Sequence, residues 1–141
     1  MILQDTYTLN NGVKIPKIGL GTWLIDNDKV ADVVKHGVEA GYRHIDTAQA
    51  YRNESGVGEG LRNCGVARDE IFVTTKLAAE IKSLDEARVA IDGSLKALGL
   101  DTIDLMIIHS PQPWDHFGSE DRFPEGNQEA WRALEDAYKA G

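Results

Sequence analysis

One cysteine, no apolar run of membrane-spanning length and no surplus of basic residues are what this 141-residue chain lacks most plainly. A lone Cys64 has no internal disulfide partner, which suits a reducing compartment. Its place near a helix end reads as a small apolar residue rather than a reactive thiol. A spanning helix needs roughly 18 or more apolar residues in succession, whereas the longest apolar strand core here is residues 105–108. Residues 1–5 also lack the cationic start of a secretory signal. With 15 Lys and Arg against 23 Asp and Glu the formal charge is −8. No basic stripe is available to displace counterions, so a nucleic-acid partner is excluded. The expectation is a soluble, cytoplasmic protein that acts on a small molecule and engages no membrane.

What is present is one domain's worth of globular composition, 42% apolar and 27% charged, enough to bury a core. Residues 6–15 read as two short extended arms around Asn10, Asn11 and Gly12, and the Asn11–Gly12 pair signals a two-residue hairpin turn. Four strand-helix units follow. A strand at 17–20 ends in Gly19-Leu20-Gly21-Thr22-Trp23, and Val30, Val33, Val34 and Val38 follow at helical spacing. A second strand at 42–46 precedes a helix at 53–63, and a third at 71–76 precedes a helix opened by the capping box Ser83 to Glu86. That helix carries Leu84, Ala87, Ile91, Leu95 and Leu98 on one face. A fourth strand at 103–109 leads through a Pro-bearing loop to a helix with Ala130, Trp131, Leu134, Ala137 and Tyr138 at helical spacing, so Trp131 and Tyr138 are expected in the core. Gly41, Gly65, Gly99 and Gly141 close the four helices, each suited to the left-handed residue beyond a helix end.

Strand, helix and strand alternating in units of about 30 residues or more predict βαβ crossovers and a parallel sheet. Four units in 141 residues extrapolate to eight in about twice that length, the size of a (β/α)₈ barrel. The fold class expected is therefore a (β/α)₈ barrel of which this chain carries an entry hairpin and the first four units. Domain 1–141 reads as an N-terminal half, truncated after the fourth helix.

The strands at 42–46, 71–76 and 103–109 end in Asp46, Lys76 and His109. In such barrels the active site lies at the C-terminal strand ends, so these three would converge on one mouth. Tyr51 lies in the loop over the same mouth. A phenol titrates near pH ~10 when unperturbed, and a nearby ammonium favours its phenolate. Lys76 is the candidate ammonium, Asp46 the carboxylate that aims it, and His109 a hydrogen-bond partner for a substrate oxygen. The set suits reduction of a carbonyl by hydride.

Other signals carry less. Gly56, Gly58 and Gly60 imitate a dinucleotide fingerprint without the preceding strand, and Leu24 replaces the third glycine after Gly19 and Gly21. His109, Asp115 and His116 are close in sequence, but a Pro-rich loop fixes no metal geometry, and no metal is expected. Two alternatives remain open: a barrel aldolase with Lys76 as Schiff-base nucleophile, and a non-catalytic half barrel that associates through the open edges of its first and fourth strands.

Four separated motifs resemble the aldo-keto reductase family. They are Asp46-Thr47-Ala48 with Tyr51, Asn53-Glu54 and Val57-Gly58; Thr74-Thr75-Lys76-Leu77; Ile108-His109-Ser110-Pro111; and Gly21-Thr22-Trp23. Within the family the chain resembles the bacterial diketogulonate- and glyoxal-reductase-like members. The resemblance implies NADPH (NADP) as cofactor, a small carbonyl compound as substrate, and Asp46, Tyr51, Lys76 and His109 as catalytic residues. It implies Gly21, Thr22, Trp23 and Asp46 at the nicotinamide, and Trp23, His109 and Trp114 against the substrate, with the loop at 112–124 and its Phe117 completing the wall. The family's pyrophosphate and 2′-phosphate contacts come from the second half of the barrel. The parent enzyme is expected to be a monomeric reductase, and residues 1–141 alone are expected to be inactive and prone to self-association.

Overall fold

A computed structural model describes residues 2–141. Met1, part of the N-terminal stretch read above, lies outside the described residues. The entry hairpin pairs β1 (Thr6–Thr8) with β2 (Lys14–Pro16) antiparallel, Thr8 opposite Lys14. Its turn is longer than the expected two residues. Leu9 N–H donates to Val13 O across a three-residue loop, in which Gly12 alone has positive φ, +84°. Asn11 instead uses its side chain, whose Oδ1 accepts from Val13 N–H at 3.1 Å. This is the bulged three-residue hairpin, in which one left-handed residue suffices.

The main sheet is parallel, with strands β3 (Leu20–Gly21), β4 (His44–Asp46), β5 (Phe72–Leu77) and β6 (Leu105–Ile108) in spatial order β3-β4-β5-β6. The first strand is two residues long and begins later than the sequence suggests. Helices α1 (Val30–Glu39), α2 (Glu54–Asn63) and α3 (Leu84–Leu98) link successive strands, and α4 (Pro124–Ala140) follows β6. Sequential strand order is informative here. Right-handed crossovers that always advance in one direction put every helix on the same side of the sheet. A doubly wound sheet reverses direction, so this is the wall of a barrel.

Alternation along the strands then sorts the side chains. Ile45 and Val73 meet Val30, Val34, Val38, Val57, Leu61 and Leu98 in one core, while Leu77 meets Ala87, Ile91, Ala130 and Ala133, with Met106 and Ile108 packed against that second cluster. The opposite, inner face carries His44, Asp46, Thr74 and Lys76. His44 Nε2 lies 2.8 Å from Thr74 Oγ1, with the His44 ring edge-on to Phe72.

The N-cap half of the capping box forms, Ser83 Oγ accepting from Glu86 N–H, while the Glu86 carboxylate turns back to accept from the Ser83 hydroxyl rather than from its backbone N–H. The expectation for α4 needs correction. Trp131 and Tyr138 are 54% and 75% exposed, and the buried residues are Ala130 and Ala133. Consecutive helix residues point about 100° apart, so Trp131 follows Ala130 out of the core stripe, and its indole N–H donates to Glu135 on the outer face.

One asparagine ties the loops over the strand ends together. Asn53 is fully buried at the start of α2; its Nδ2 donates to Thr22 O and Ile25 O at 2.8 and 2.9 Å, and its Oδ1 accepts from Thr47 Oγ1 at 3.0 Å. Stranding a buried polar group costs about 1–3 kcal/mol. Asn53→Ala is accordingly expected to lose about 2–4 kcal/mol of unfolding free energy, read from the urea midpoint. A loss below 1 kcal/mol would show that water replaces the side chain.

Candidate active site

The strand register delivers the charged pair. Gly21, Asp46 and Thr74 are neighbours across three strands, and Lys76 lies two residues beyond Thr74 on the same face. Lys76 Nζ is 2.5 Å from Asp46 Oδ1 and 2.8 Å from Thr47 O. A short 3₁₀ turn over Gln49–Tyr51 folds back above the strand ends and brings Tyr51 Oη to 3.4 Å from Lys76 Nζ. The ammonium also lies 5.0 Å from the centre of the Tyr51 ring. His109 follows β6, its N–H donating to Leu77 O, and its ring packs edge-on to Tyr51 at 5.6 Å and to Trp114 at 5.2 Å. All four candidate catalytic residues therefore meet at one point. The cleft beside them, about 520 Å³, is lined by Trp23, Ala50, Tyr51, His109 and Trp114.

The surroundings of these groups differ. The Lys76 side chain is largely enclosed, with Nζ held by a carboxylate and a carbonyl beside the phenol. A Schiff-base nucleophile would need a free amine, and Asp46 occupies it. Burial, and then the charge of Lys76, push the His109 imidazole below its usual range, with Asp46 and Glu80 opposing. Its Nδ1 is buried without a hydrogen-bond partner among the described residues, so nothing adjacent locks the ring as imidazolium. With its charged form disfavoured, His109 is suited to offer one N–H to an oxygen as a neutral imidazole.

His44, deeper on the same inner face, is also depressed, chiefly by burial. Both histidines have folded values below the unfolded value of about 6.5. The unfolded chain therefore binds more protons below that pH, and stability, complete above it, is lost as pH falls through the folded values. The urea midpoint is expected to drop between pH 7 and pH 5. His44→Gln should make that drop smaller, and an unchanged slope would rule out this origin.

The residues placed beside a cofactor are not equivalent. Thr22 is fully buried; its hydroxyl donates to Asp46 O at 3.2 Å and its carbonyl accepts from Asn53. Its side chain is committed to the scaffold. Trp23 is 67% exposed at the rim, and a Cβ at Gly21 would meet nothing within 4 Å. Because Gly21 is in register with Asp46, the backbone there leaves room for a flat ring beside the acid.

Sequence reasoning gave no role to a second polar layer. Gln49, which opens the Tyr51 turn, donates to Ala90 O and Ser94 Oγ and accepts from Ala78 N–H. Glu54, buried on α2, accepts from Thr75 Oγ1 at 2.6 Å and Ser94 Oγ at 3.3 Å. Together they pin the Tyr51 turn to β5 and α3. A wider cleft, about 700 Å³, opens at the other end of the strands around Arg62, Arg68, Asp101 and Asp104. Its arginines are already engaged by backbone carbonyls and Asp104.

Residues 17–141 match the model of the Aldo/keto reductase family. Over 140 residues the chain is 41% identical to the glyoxal reductase of Bacillus subtilis (strain 168), covering 99% of this chain and 47% of that protein. It is 41% identical over 134 residues to the methylglyoxal reductase DkgA of Escherichia coli (strain K12), covering 94% of this chain and 44% of that protein. Among solved structures, an aldo/keto reductase from Brucella melitensis superposes with a TM-score of 0.85 at 43% identity, covering 97% of this chain and 49% of that one. A Bombyx mori aldo-keto reductase solved in complex with NADP gives 0.81 at 38% identity, with coverage of 97% and 47%. The chain spans about half the length of the curated relatives it matches. The hairpin and four strand-helix units are those of a (β/α)₈ barrel.

Proposed function

Because the chain belongs to the aldo/keto reductase family, we propose that the protein of which these units form the N-terminal half reduces an aldehyde or ketone to an alcohol with NADPH. The observation that carries this reading is the placement of Tyr51 Oη 3.4 Å from Lys76 Nζ in a cleft shared with His109. Gly21, Trp23 and Asp46 are the residues proposed to lie beside the nicotinamide, with Thr22 holding their backbone. The coenzyme, when bound, supplies hydride to the carbonyl carbon. Tyr51 gives its proton to the carbonyl oxygen, so aldehyde or ketone, hydride and proton balance as alcohol.

Each remaining residue lowers the cost of that proton transfer. The phenol becomes more anionic as it donates, and the fixed Lys76 ammonium is already in place to stabilise that charge. Asp46 and Thr47 O keep the ammonium aimed and stop it from leaving the site. His109 donates to the carbonyl oxygen and turns it toward Tyr51, and Trp23 covers the rim of the cleft. The relatives named for glyoxal and methylglyoxal reduction support small dicarbonyl compounds as the first substrates to test.

The experiment joins residues 1–141 to the second half of the Bacillus subtilis relative and follows NADPH oxidation with methylglyoxal. Carbonyl-dependent oxidation is expected; a folded hybrid that consumes no NADPH would contradict the reading. Residues 1–141 alone are proposed to bind NADPH weakly and to associate through the free edges of β3 and β6. Tight NADPH binding by a monomer in light scattering and titration would overturn that second clause.

A further inference from the structure

The loop between β6 and α4, residues 111–123, is organised around one buried side chain. Gln112 is 2% exposed. Its Nε2 donates to Ser119 O at 3.0 Å and to Asp121 O, with Ser119 Oγ at 3.3 Å. Its Oε1 accepts from Gly118 N–H at 3.1 Å and from the Arg122 guanidinium at 3.0 Å. Its own N–H reaches back to Ser110 Oγ. A single amide therefore satisfies donors and acceptors across residues 118–122, the returning half of the loop, and so fixes the arc on which residues 113–117 are carried.

The base of the loop is closed separately. Asn127, in the first turn of α4, donates from Nδ2 to Pro111 O at 2.8 Å and to Arg122 O at 3.1 Å, joining the two ends. Lys82 donates to Ser110 O from the neighbouring loop. Such a loop, ends tied and centre filled by its own side chain, is a compact Ω-loop. Its cargo is Trp114, whose ring stands edge-on to His109, and Phe117, 6.1 Å from Trp114. Both residues are substantially exposed, 47% and 68%; Trp114 lines the cleft and Phe117 stands behind it, outside the cleft lining. Large exposed aromatics need a rigid support to keep one orientation; the Trp114 N–H donates to Glu80 Oε1 at 3.4 Å, and Gln112 fixes the returning half of the loop behind it.

We infer that Gln112 is a positioning residue for substrate binding: it holds the β6–α4 loop as a preformed wall, with Trp114 already seated against His109 before any ligand arrives. The inference rests on the reductase reading only for its kinetic consequence. Carbonyl compounds bearing an aryl or other flat apolar group would use that wall. Two- or three-carbon dicarbonyls would reach Tyr51 without leaning on it. Loss of Gln112 should therefore raise KM selectively for the larger class and leave kcat nearly untouched, the pattern of lost uniform binding.

The test has one readout on the chain itself and one on the completed barrel. Arg122–Phe123 is a tryptic bond whose arginine is held by Gln112, and cleavage of such a bond reports local opening. In residues 1–141, Gln112→Ala is expected to speed cleavage there by about tenfold or more while helical circular dichroism is unchanged; if that variant misfolds, Gln112→Glu, which sets a carboxylate against two carbonyls, is read instead. In the hybrid barrel the same change is expected to raise KM for benzaldehyde by about tenfold, with kcat within about twofold and KM for methylglyoxal little altered. An unchanged cleavage rate overturns the inference whether or not the hybrid is active. Equal losses for both substrates, or a fall confined to kcat, overturn it as well. Failure of the reductase reading appears instead as an inactive hybrid with the proteolysis result intact.

Discussion

Tyr51→Phe in the completed barrel is expected to lower kcat/KM for carbonyl reduction by about 10²–10⁴-fold, the worth of a well-placed general acid. Folding should be almost unaffected, because the hydrogen-bond partner of the lost hydroxyl among the described residues is Lys76 Nζ, at a long 3.4 Å, while the ring keeps its place between Lys76 and His109. The same variant separates the two enzyme readings. A Schiff-base aldolase would still form an adduct on Lys76 that borohydride traps. A reductase would form none, and would still bind NADPH.

Gly58→Ala carries the largest expected cost in stability. A Cβ there would collide with the Leu98 carbonyl oxygen, and would come within 2.6 Å of Leu98 C and 2.8 Å of Leu98 Cα. These are backbone atoms at the end of α3, so no rotamer change relieves them. Overpacking typically costs about 1–3 kcal/mol, and this site belongs at the top of that range or above. Gly56 and Gly60, one turn apart, meet α1 and the turn before it in the same intimate way, at Asn27, Val30, Ala31 and Val34. The matched control is Gly93→Ala on α3, where nothing lies within 4 Å of the added carbon. There the change should stabilise by about 0.5–1 kcal/mol, since alanine is the better helix former. Opposite signs for the two variants in urea denaturation are the expected outcome; two losses of equal size would contradict the close approach at Gly58.

Those three glycines illustrate what sequence could and could not disclose. Their spacing resembles a phosphate-binding turn, and their position after a loop excludes that role, but nothing local reveals that α2 is wedged between two neighbours. That is a tertiary fact, as is Asn53, whose hydrogen bonds run to residues 28 and 31 positions earlier. The strand-end chemistry was legible because it is local. Asp46 and Lys76 each terminate an apolar run, and parallel register does the rest. His109 falls just past β6, so its strand-end reading survives a boundary shift. Trp131 and Tyr138 misled because helical spacing fixes which residues share a face, not which of two faces is covered. Gln49 and Gln112 left no sequence signal at all: a glutamine is ordinary on a loop until its partners are known.

Whether Lys76 acts through Tyr51 is the claim on which the chemistry depends, and a double-mutant cycle on kcat/KM in the completed barrel measures it most directly. Lys76→Met alone should cost about a hundredfold or more, yet in a Tyr51→Phe background it should cost less than about threefold, because a cation that tunes a phenol has nothing left to tune. Independent, multiplying losses would contradict this account, and would mean that the ammonium and the hydroxyl serve separate ends.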